Sequence, residues 1–433
     1  MPFRTKELWF VVTTVILSFV VATVLTELAL RIMGKNQRRL VPDYGDIMRS
    51  QGLGPGGYLR ENLTIYVSNG LGGKVRWTNN SMGFRSDREF SPQRPPGVLR
   101  ILSLGDSFTA GYRVGQEETF SYLQERWINQ NYGKAELLVA EIEEPTTALY
   151  YLVKFGIKMN PDVVLLGITL GNDIAQSYVG LDPKGIYILN MEHGKIQIEN
   201  NKNQKLGYTH GLENYKLPPE YLDSCLPRLL GHVTMWWKWS CLWLRFFPQD
   251  KAITSYSDRF SPNLFDINNG FGVFTNPAPP LIDEAYRRLF RILSAFQTFC
   301  QQRDILFVTQ LFPQRYQVQS DDWEKAVSQY GLRRTRFDLM APNKRIQGFC
   351  QEHGILCIDP TEAMADYVAR TGKNLYLPLG DMHWSREGHR AFFECTRIVL
   401  AAVVQKGFDL VKVKDSGTDR LHGLSLIQDY PPN

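Results

Sequence analysis

Five short runs constrain the fold of this chain more than any other feature: VLRILSLG, AELLVA, DVVLLGITL, DILFVTQLF and GILCID. Each is apolar at consecutive positions and rich in leucine or β-branched side chains, as strands buried on both faces must be. Helical patterns separate them, and that alternation predicts an α/β fold: a doubly wound, flavodoxin-like, parallel five-stranded sheet. The helices are legible as well. Ala285 to Gln302 places Leu289, Leu293, Phe296 and Phe299/Cys300 on one face, with Arg287, Arg288 and Arg291 elsewhere. A last helix is expected from Glu387 to about Gln405, with Phe392, Phe393, Ile398 and Val399 on its apolar stripe.

The chain has 433 residues and 43% hydrophobic content, enough for a large core. Its net charge of +5 is small for this length, and the basic residues form no long block beside stacking aromatics, so no nucleic-acid partner is expected. Residues Leu8 to Thr26 carry no charge. At about 1.5 Å per helical residue such a run spans the ~30 Å hydrocarbon core, and it is read as an uncleaved transmembrane anchor. A cleaved signal peptide is the rival, since Arg4 and Lys6 form a short basic region before it, but no A-x-A site follows. Positive-inside counting sets Arg4 and Lys6 against Arg31, Lys35, Arg38 and Arg39, and by itself places the part of the chain after the anchor in the cytoplasm.

The expected organisation is a short N-terminal segment (1–7), the anchor (8–26), a turn-rich, short-stranded juxtamembrane segment (27–96), the α/β domain (97–405) and a C-terminal tail (406–433). An insertion of about 174–280 exceeds what a minimal five-stranded sheet needs. Within it, GIYILNMEHGKIQIE reads as a hairpin turning near His193-Gly194, and an aromatic helix carries Trp236, Trp237, Trp239 and Trp243. That helix packs over the sheet, or serves as a lid or membrane-facing surface. The six cysteines lack C-x-x-C spacing. Free thiols are expected, with a Cys225–Cys241 bridge open if that segment lies outside the cytoplasm.

A doubly wound sheet binds ligands beyond the carboxyl ends of its strands. Three motifs fall there: Ser107 after the first predicted strand, Asn172-Asp173 after the strand Val163–Ile168, and GDMHWSREGHRAF before the last helix. A serine hydroxyl becomes a nucleophile when an imidazole takes its proton, and the imidazole works best when a carboxylate fixes its tautomer. Ser107, His383 and Asp381 can fill those roles. The Asn172 amide and the Ser107 backbone N–H can supply an oxyanion hole. Each residue alone has a plainer reading: Ser107 as a helix cap, Asn172-Asp173 as an Asx turn, and His383 and His389 as hydrogen-bonded core histidines. Asp381 with the two histidines lacks a further ligand, so no metal is expected. Their joint occurrence at strand ends favours catalysis, with Ser107 expected to be nucleophile and helix cap at once.

The motifs resemble those of the SGNH, or GDSL, hydrolases over roughly Val98 to Val404. GDSFT (Gly105–Thr109) is similar to the first block, LGND (Leu170–Asp173) to the third and DMHWSREGH (Asp381–His389) to the fifth. The D-x-H-W spacing looks like the form found in alginate-type acetyltransferases and membrane-anchored relatives. The resemblance implies Ser107 as nucleophile, His383 as base and Asp381 as orienter, with His389 structural. The family's second block supplies a glycine N–H to the oxyanion hole. That position is Glu144 here, whose backbone N–H can serve while its carboxylate would oppose negative charge.

The resemblance also implies an extracytoplasmic site, against the charge count. The function expected is a cofactor-free serine esterase acting on O-acyl, chiefly O-acetyl, esters of envelope or secreted carbohydrate through an acyl-serine. The alternatives are an O-acetyltransferase of a cell-surface polysaccharide using the same triad, and a non-catalytic scaffold or carbohydrate-binding subunit for which Glu144 is the sequence support. A lipid-active esterase using the aromatic helix is a further option.

Overall fold

The computed structural model describes residues 9, 13–26, 61–69, 71, 73–142, 144–180, 187–192, 195–200, 271–378 and 381–416. The predicted aromatic helix, Cys225 and Cys241 lie outside them. All five predicted strands form: β3 (Leu99–Gly105), β4 (Ala135–Glu141), β5 (Val163–Thr169), β8 (Leu306–Phe312) and β9 (Leu356–Ile358). They pair in parallel in the order β4-β3-β5-β8-β9. β3, β5 and β8 are buried at every position, which is why their sequences are apolar without alternation.

Period-2 geometry nevertheless divides each strand between two cores. Leu99, Ile101, Val163, Leu165 and Val308 meet Ile128 of α2 (Phe120–Asn131) and Leu400 and Val403 of α10 (Arg386–Asp415). Leu102, Leu104, Val164 and Leu166 meet Leu149 of α3 (Pro145–Lys154), Leu289 and Phe296 of α5 (Pro280–Gln301) and Ile346 of α8 (Ala341–Glu352). Helices therefore cover both faces. β3 leads to one neighbour, β4, while β5 carries the chain to the opposite side, so the crevice between the carboxyl ends of β3 and β5 is the topological switch point.

α5 buries the predicted Leu289, Leu293, Phe296, Phe299 and Cys300, and begins at Pro280 because a proline at the first helical position has no N–H to leave unpaired. The predicted hairpin is present as β6 (Tyr187–Glu192) and β7 (Lys195–Asn200), with Glu192 opposite Lys195 at its closed end. Leu189 and Ile198 seat it on the core. Among the described residues Cys300, Cys350, Cys357 and Cys395 are free thiols.

Two expectations need correction. The last helix does not end near Gln405 but continues to Asp415, so 406–415 is not tail. Leu410 and Val411 are buried against the sheet, and Gly407 keeps clear the space where a Cβ would lie 2.8 Å from Leu99 Cδ1. Lys414 then reaches Asp162 at 3.1 Å, and Asp415 accepts from the Gly97 N–H at 2.7 Å. On the same helix Ile398 is 80% exposed, because the buried stripe runs through Phe392, Thr396, Leu400 and Val403 and position 398 falls on the far side. The short strands expected in the segment before the sheet are present among its described residues. β1 (Thr64–Ser68) and β2 (Lys74–Thr78) form an antiparallel hairpin whose Val67 and Trp77 pack on Ala110 and Tyr112, beside the predicted nucleophile.

At the N-terminus residues 13–26 are helical, and Val15, Ile16, Leu17, Phe19, Val20, Val21, Val24 and Leu25 are all exposed. Among the described residues no helix is long and apolar enough to cross a membrane.

Truncation after Gln405 tests the extended helix. Losing the buried Leu410 and Val411 side chains should cost about 3–6 kcal/mol, lowering the thermal midpoint by many degrees. A midpoint equal to that of the full chain would refute the packing described.

Candidate active site

Strand β3 ends in a glycine because nothing larger fits: a Cβ at Gly105 would lie 2.2 Å from Thr109 Oγ1. The chain then turns into α1 (Ser107–Ala110). Its N-cap is Asp106, whose Oδ1 accepts from the Phe108 N–H at 3.0 Å, and this corrects the dual role expected of Ser107. Ser107 is the first helical residue, so its hydroxyl is free of capping duty and its N–H has no intrahelical acceptor.

The structure brings the predicted triad together. Ser107 Oγ lies 2.8 Å from His383 Nε2, and His383 Nδ1 lies 2.7 Å from Asp381 Oδ1. The same Oδ1 accepts from the His383 backbone N–H at 3.0 Å. The imidazole is walled by Phe108, with ring centroids 5.3 Å apart, and by the edge of Tyr112 at 4.8 Å. Burial alone would push the Asp381 carboxyl up, but His383 and the Arg113 guanidinium outweigh it and hold it down at about 2. Asp381 is thus ionised at any pH where the imidazole is neutral, as a tautomer-fixing carboxylate must be.

Asn172, after β5, is buried, and its Nδ2 lies 3.4 Å from Asp106 Oδ2, next along the chain from the nucleophile. The Asn172 side chain therefore faces the Ser107 turn across the switch point. Its neighbour Asp173 opens α4 (Asp173–Gly180) and accepts from the Thr169 N–H at 2.7 Å. Burial and the Asp106 charge raise its carboxyl well above the usual range.

Glu144 resolves differently from the expected conflict. Its backbone is extended, with φ −157°, a conformation any residue adopts, and it is the N-cap of α3. Its carboxylate is folded into that cap, accepting from Thr146 Oγ1 at 2.9 Å, Thr147 Oγ1 at 2.8 Å and the Thr147 N–H at 3.2 Å. Burial, opposed by these hydrogen bonds, pushes its carboxyl up to about 7. The side chain is committed to the helix, while the N–H of an N-cap residue stands outside the intrahelical ladder.

His389 is structural, as the resemblance implied. It is buried, stacks on Phe120 and accepts from the Phe120 N–H through Nδ1 at 3.4 Å. Burial, with the Arg85 and His383 charges, brings it down to about 3, so it stays neutral.

Several site residues carried no sequence signal. Arg113 Nε lies 2.8 Å from Asp381 Oδ2, and both side chains are 1% exposed. Arg113 has φ +71°, a left-handed conformation that costs a non-glycine residue about 1–2 kcal/mol. Arg315, in α6 (Arg315–Val318), donates to the Asp381 carbonyl at 3.0 Å while its other nitrogens bind Asp322. Gln314, after β8, is buried with its amide packed on Gly171, and neither amide atom has a partner among the described residues. A basic residue's ordinary reading is a solvated surface, and only tertiary structure shows these two arginines turned inward.

No family model matches this chain, and no curated protein matches it. Among solved structures, the acetyl xylan esterase AlAXEase is similar over 70% of this chain and 100% of its own, at 11% identity and TM-score 0.36. A putative acylhydrolase from Bacteroides fragilis NCTC 9343 is similar over 70% and 88%, at 9% identity and TM-score 0.31. A two-domain esterase active on acetylated mannans, co-crystallized with mannopentaose, is similar over 71% and 50%, at 10% identity and TM-score 0.29. Overlap at this level leaves the chemistry to be argued from the site geometry.

The Glu144 cap predicts a pH signature. Its folded carboxyl, at about 7, lies above the ordinary 4.5. Its contribution is therefore fully present below pH 4.5 and is lost as pH rises through 7, about 3 kcal/mol in all. Glu144→Gln keeps an acceptor for the Thr147 N–H and removes the titration, so the fall in thermal midpoint between pH 5 and 8 should shrink relative to wild type. A variant with an unchanged fall would refute the assignment.

Proposed function

We propose that the chain is a serine esterase that removes O-acyl, chiefly O-acetyl, groups through an acyl-Ser107 intermediate. The observation that carries this reading is the continuous relay from Ser107 Oγ through His383 to an ionised Asp381, at 2.8 and 2.7 Å. In the first half-reaction His383 Nε2 takes the Ser107 proton as Oγ attacks the ester carbonyl carbon. The oxyanion that forms is met by the Ser107 N–H, the Asn172 amide and the Glu144 N–H. Collapse breaks the ester C–O bond, and His383 returns the proton to the leaving alkoxide. Water then repeats the sequence on the acyl-serine, releasing the acid and regenerating Ser107. Asp381 remains ionised throughout and stabilises the transient imidazolium.

O-acylated carbohydrate as substrate rests on the resemblance of the GDSFT, LGND and DMHWS blocks. The D-x-H-W spacing supports a second reading, in which a sugar hydroxyl replaces water and the enzyme is an O-acetyltransferase. The scaffold reading loses its main motive, because the Glu144 carboxylate is taken up by its own helix. We place the chain at a membrane, with the site outside the cytoplasm. Support comes from the apolar side chains exposed around helical residues 13–26, which water does not favour.

Fluorophosphonate labelling tests the reading. Wild type should label, and Ser107→Ala and His383→Ala should not. Asp381→Asn should label about 10³- to 10⁴-fold more slowly, as expected when the tautomer is no longer fixed. A folded wild type that resists labelling while control esterases react would sink the proposal. With labelling established, acetate release from an acetylated glycan, compared with and without a free sugar hydroxyl acceptor, separates hydrolysis from transfer.

A further inference from the structure

We infer that Arg113 is a positioning residue of the acid–base pair, facing the outer oxygen of Asp381 and holding a buried positive charge beside the pair. The inference rests on the esterase reading for its catalytic meaning and on geometry for its existence.

Asp381 presents its two oxygens to different partners. Oδ1 receives both hydrogen bonds from His383, and Oδ2 faces Arg113 Nε at 2.8 Å. Arg113 is also 4.8 Å from the centroid of the Tyr112 ring, whose edge bears on the imidazole. One guanidinium thus touches the carboxylate on the side away from the base and backs the ring that walls it. The loop carrying it is held from beneath. Arg85 donates to the carbonyls of Ala110, Gly111 and Val114, and stacks over Trp77 of the N-terminal hairpin. Arg113 Nη1 reaches the Ser68 carbonyl at 3.4 Å.

The backbone argues in the same direction. Arg113 is buried with φ +71°, where glycine would be unstrained. A long cation in that conformation persists only where its side chain is needed, and strain of this kind gathers at functional sites.

The other charges around the pair come from several elements. Asp106 at the start of α1 and His389 of α10 act on His383 through space. Arg85 acts on His389, and Arg315 of α6 holds the Asp381 carbonyl while already paired with Asp322. Among these, Arg113 is the cation in contact with the catalytic carboxylate. Its positive charge opposes protonation of the imidazole directly, and it draws the Asp381 charge away from the ring.

The test compares full-chain wild type, Arg113→Gly and Arg113→Lys, each with isotope-labelled histidine. The His383 ring signal is identified among the seven histidines by its loss in His383→Asn. Glycine accepts the left-handed backbone, so Arg113→Gly removes the charge while sparing the loop. Its His383 titration midpoint should lie about one unit higher than in wild type. The acid limb of its labelling profile should move the same way, and its high-pH labelling rate should fall about tenfold as the carboxylate loses its second anchor. Arg113→Lys should keep the wild-type midpoint while labelling more slowly, because an ammonium restores the charge without the guanidinium's simultaneous reach to Asp381 and the Ser68 carbonyl. Coincident midpoints in wild type and Arg113→Gly would overturn the inference. If the glycine variant does not fold, a lysine variant with a displaced midpoint and an undiminished labelling rate overturns it instead. The ring titration is read from folded protein whether or not wild type labels, so failure of the esterase reading and failure of this inference give different results.

Discussion

A carboxylate almost entirely withdrawn from water is tolerable only where donors and opposite charge surround it, and Asp381 is such a group. Its charged and hydrogen-bonding partners are Arg113, from the turn after β3, and His383, from its own loop, while Arg315 at the end of β8 holds the Asp381 main-chain carbonyl. Removing one partner leaves the others around an uncompensated charge. The requirement to satisfy this single group therefore ties the turn after β3 to the loop that precedes α10. It also makes the N-terminal hairpin part of the site, because the hairpin's Trp77 supports Arg85, and Arg85 supports the loop that delivers Arg113.

The sheet provides the frame for that meeting. Ser107 follows β3 and Asn172 follows β5, adjacent strands whose onward connections leave in opposite directions. Their carboxyl ends meet at the switch point, and the segment Asp381–His383, which follows β9 in the chain, brings the imidazole to Ser107 there. The aromatic packing of Trp384 against Phe108, Phe120, Phe312 and Phe392 fixes that segment's height above the strands.

The strands were legible because burial on both faces leaves a plain local signature, and the five predicted runs coincide with β3, β4, β5, β8 and β9. Ser107, His383 and Asp381 were legible because their chemistry demands particular residue types at strand ends. The rest depended on tertiary context. Asp106 is the cap in place of Ser107 because the helix starts at Ser107, a boundary shift of one residue that spacing does not decide. The far end of α10 was hidden because Gly407 reads as a helix breaker until Leu99 and Val163 are known to lie against it. Glu144 read as a threat to the oxyanion hole, since nothing in EEPTT says that two threonine hydroxyls will turn its carboxylate into a cap.

The close spacing of Asp381 and His383 has a mechanical corollary. Oδ1 of Asp381 is bound by both the ring and the backbone N–H of His383, so carboxylate, imidazole and intervening peptide form one short cycle that moves as a block. The compliant coordinate of the relay is then the remaining contact, between Ser107 and His383, residues 276 apart in the chain. Any displacement of the β3 turn relative to the Asp381–His383 loop is read out there as engagement or disengagement of the nucleophile, with the tautomer of the base unchanged. On the proposed esterase reading, the rate would thus respond to forces on the frame as a switch on one hydrogen bond, leaving the acid–base pair assembled in either position.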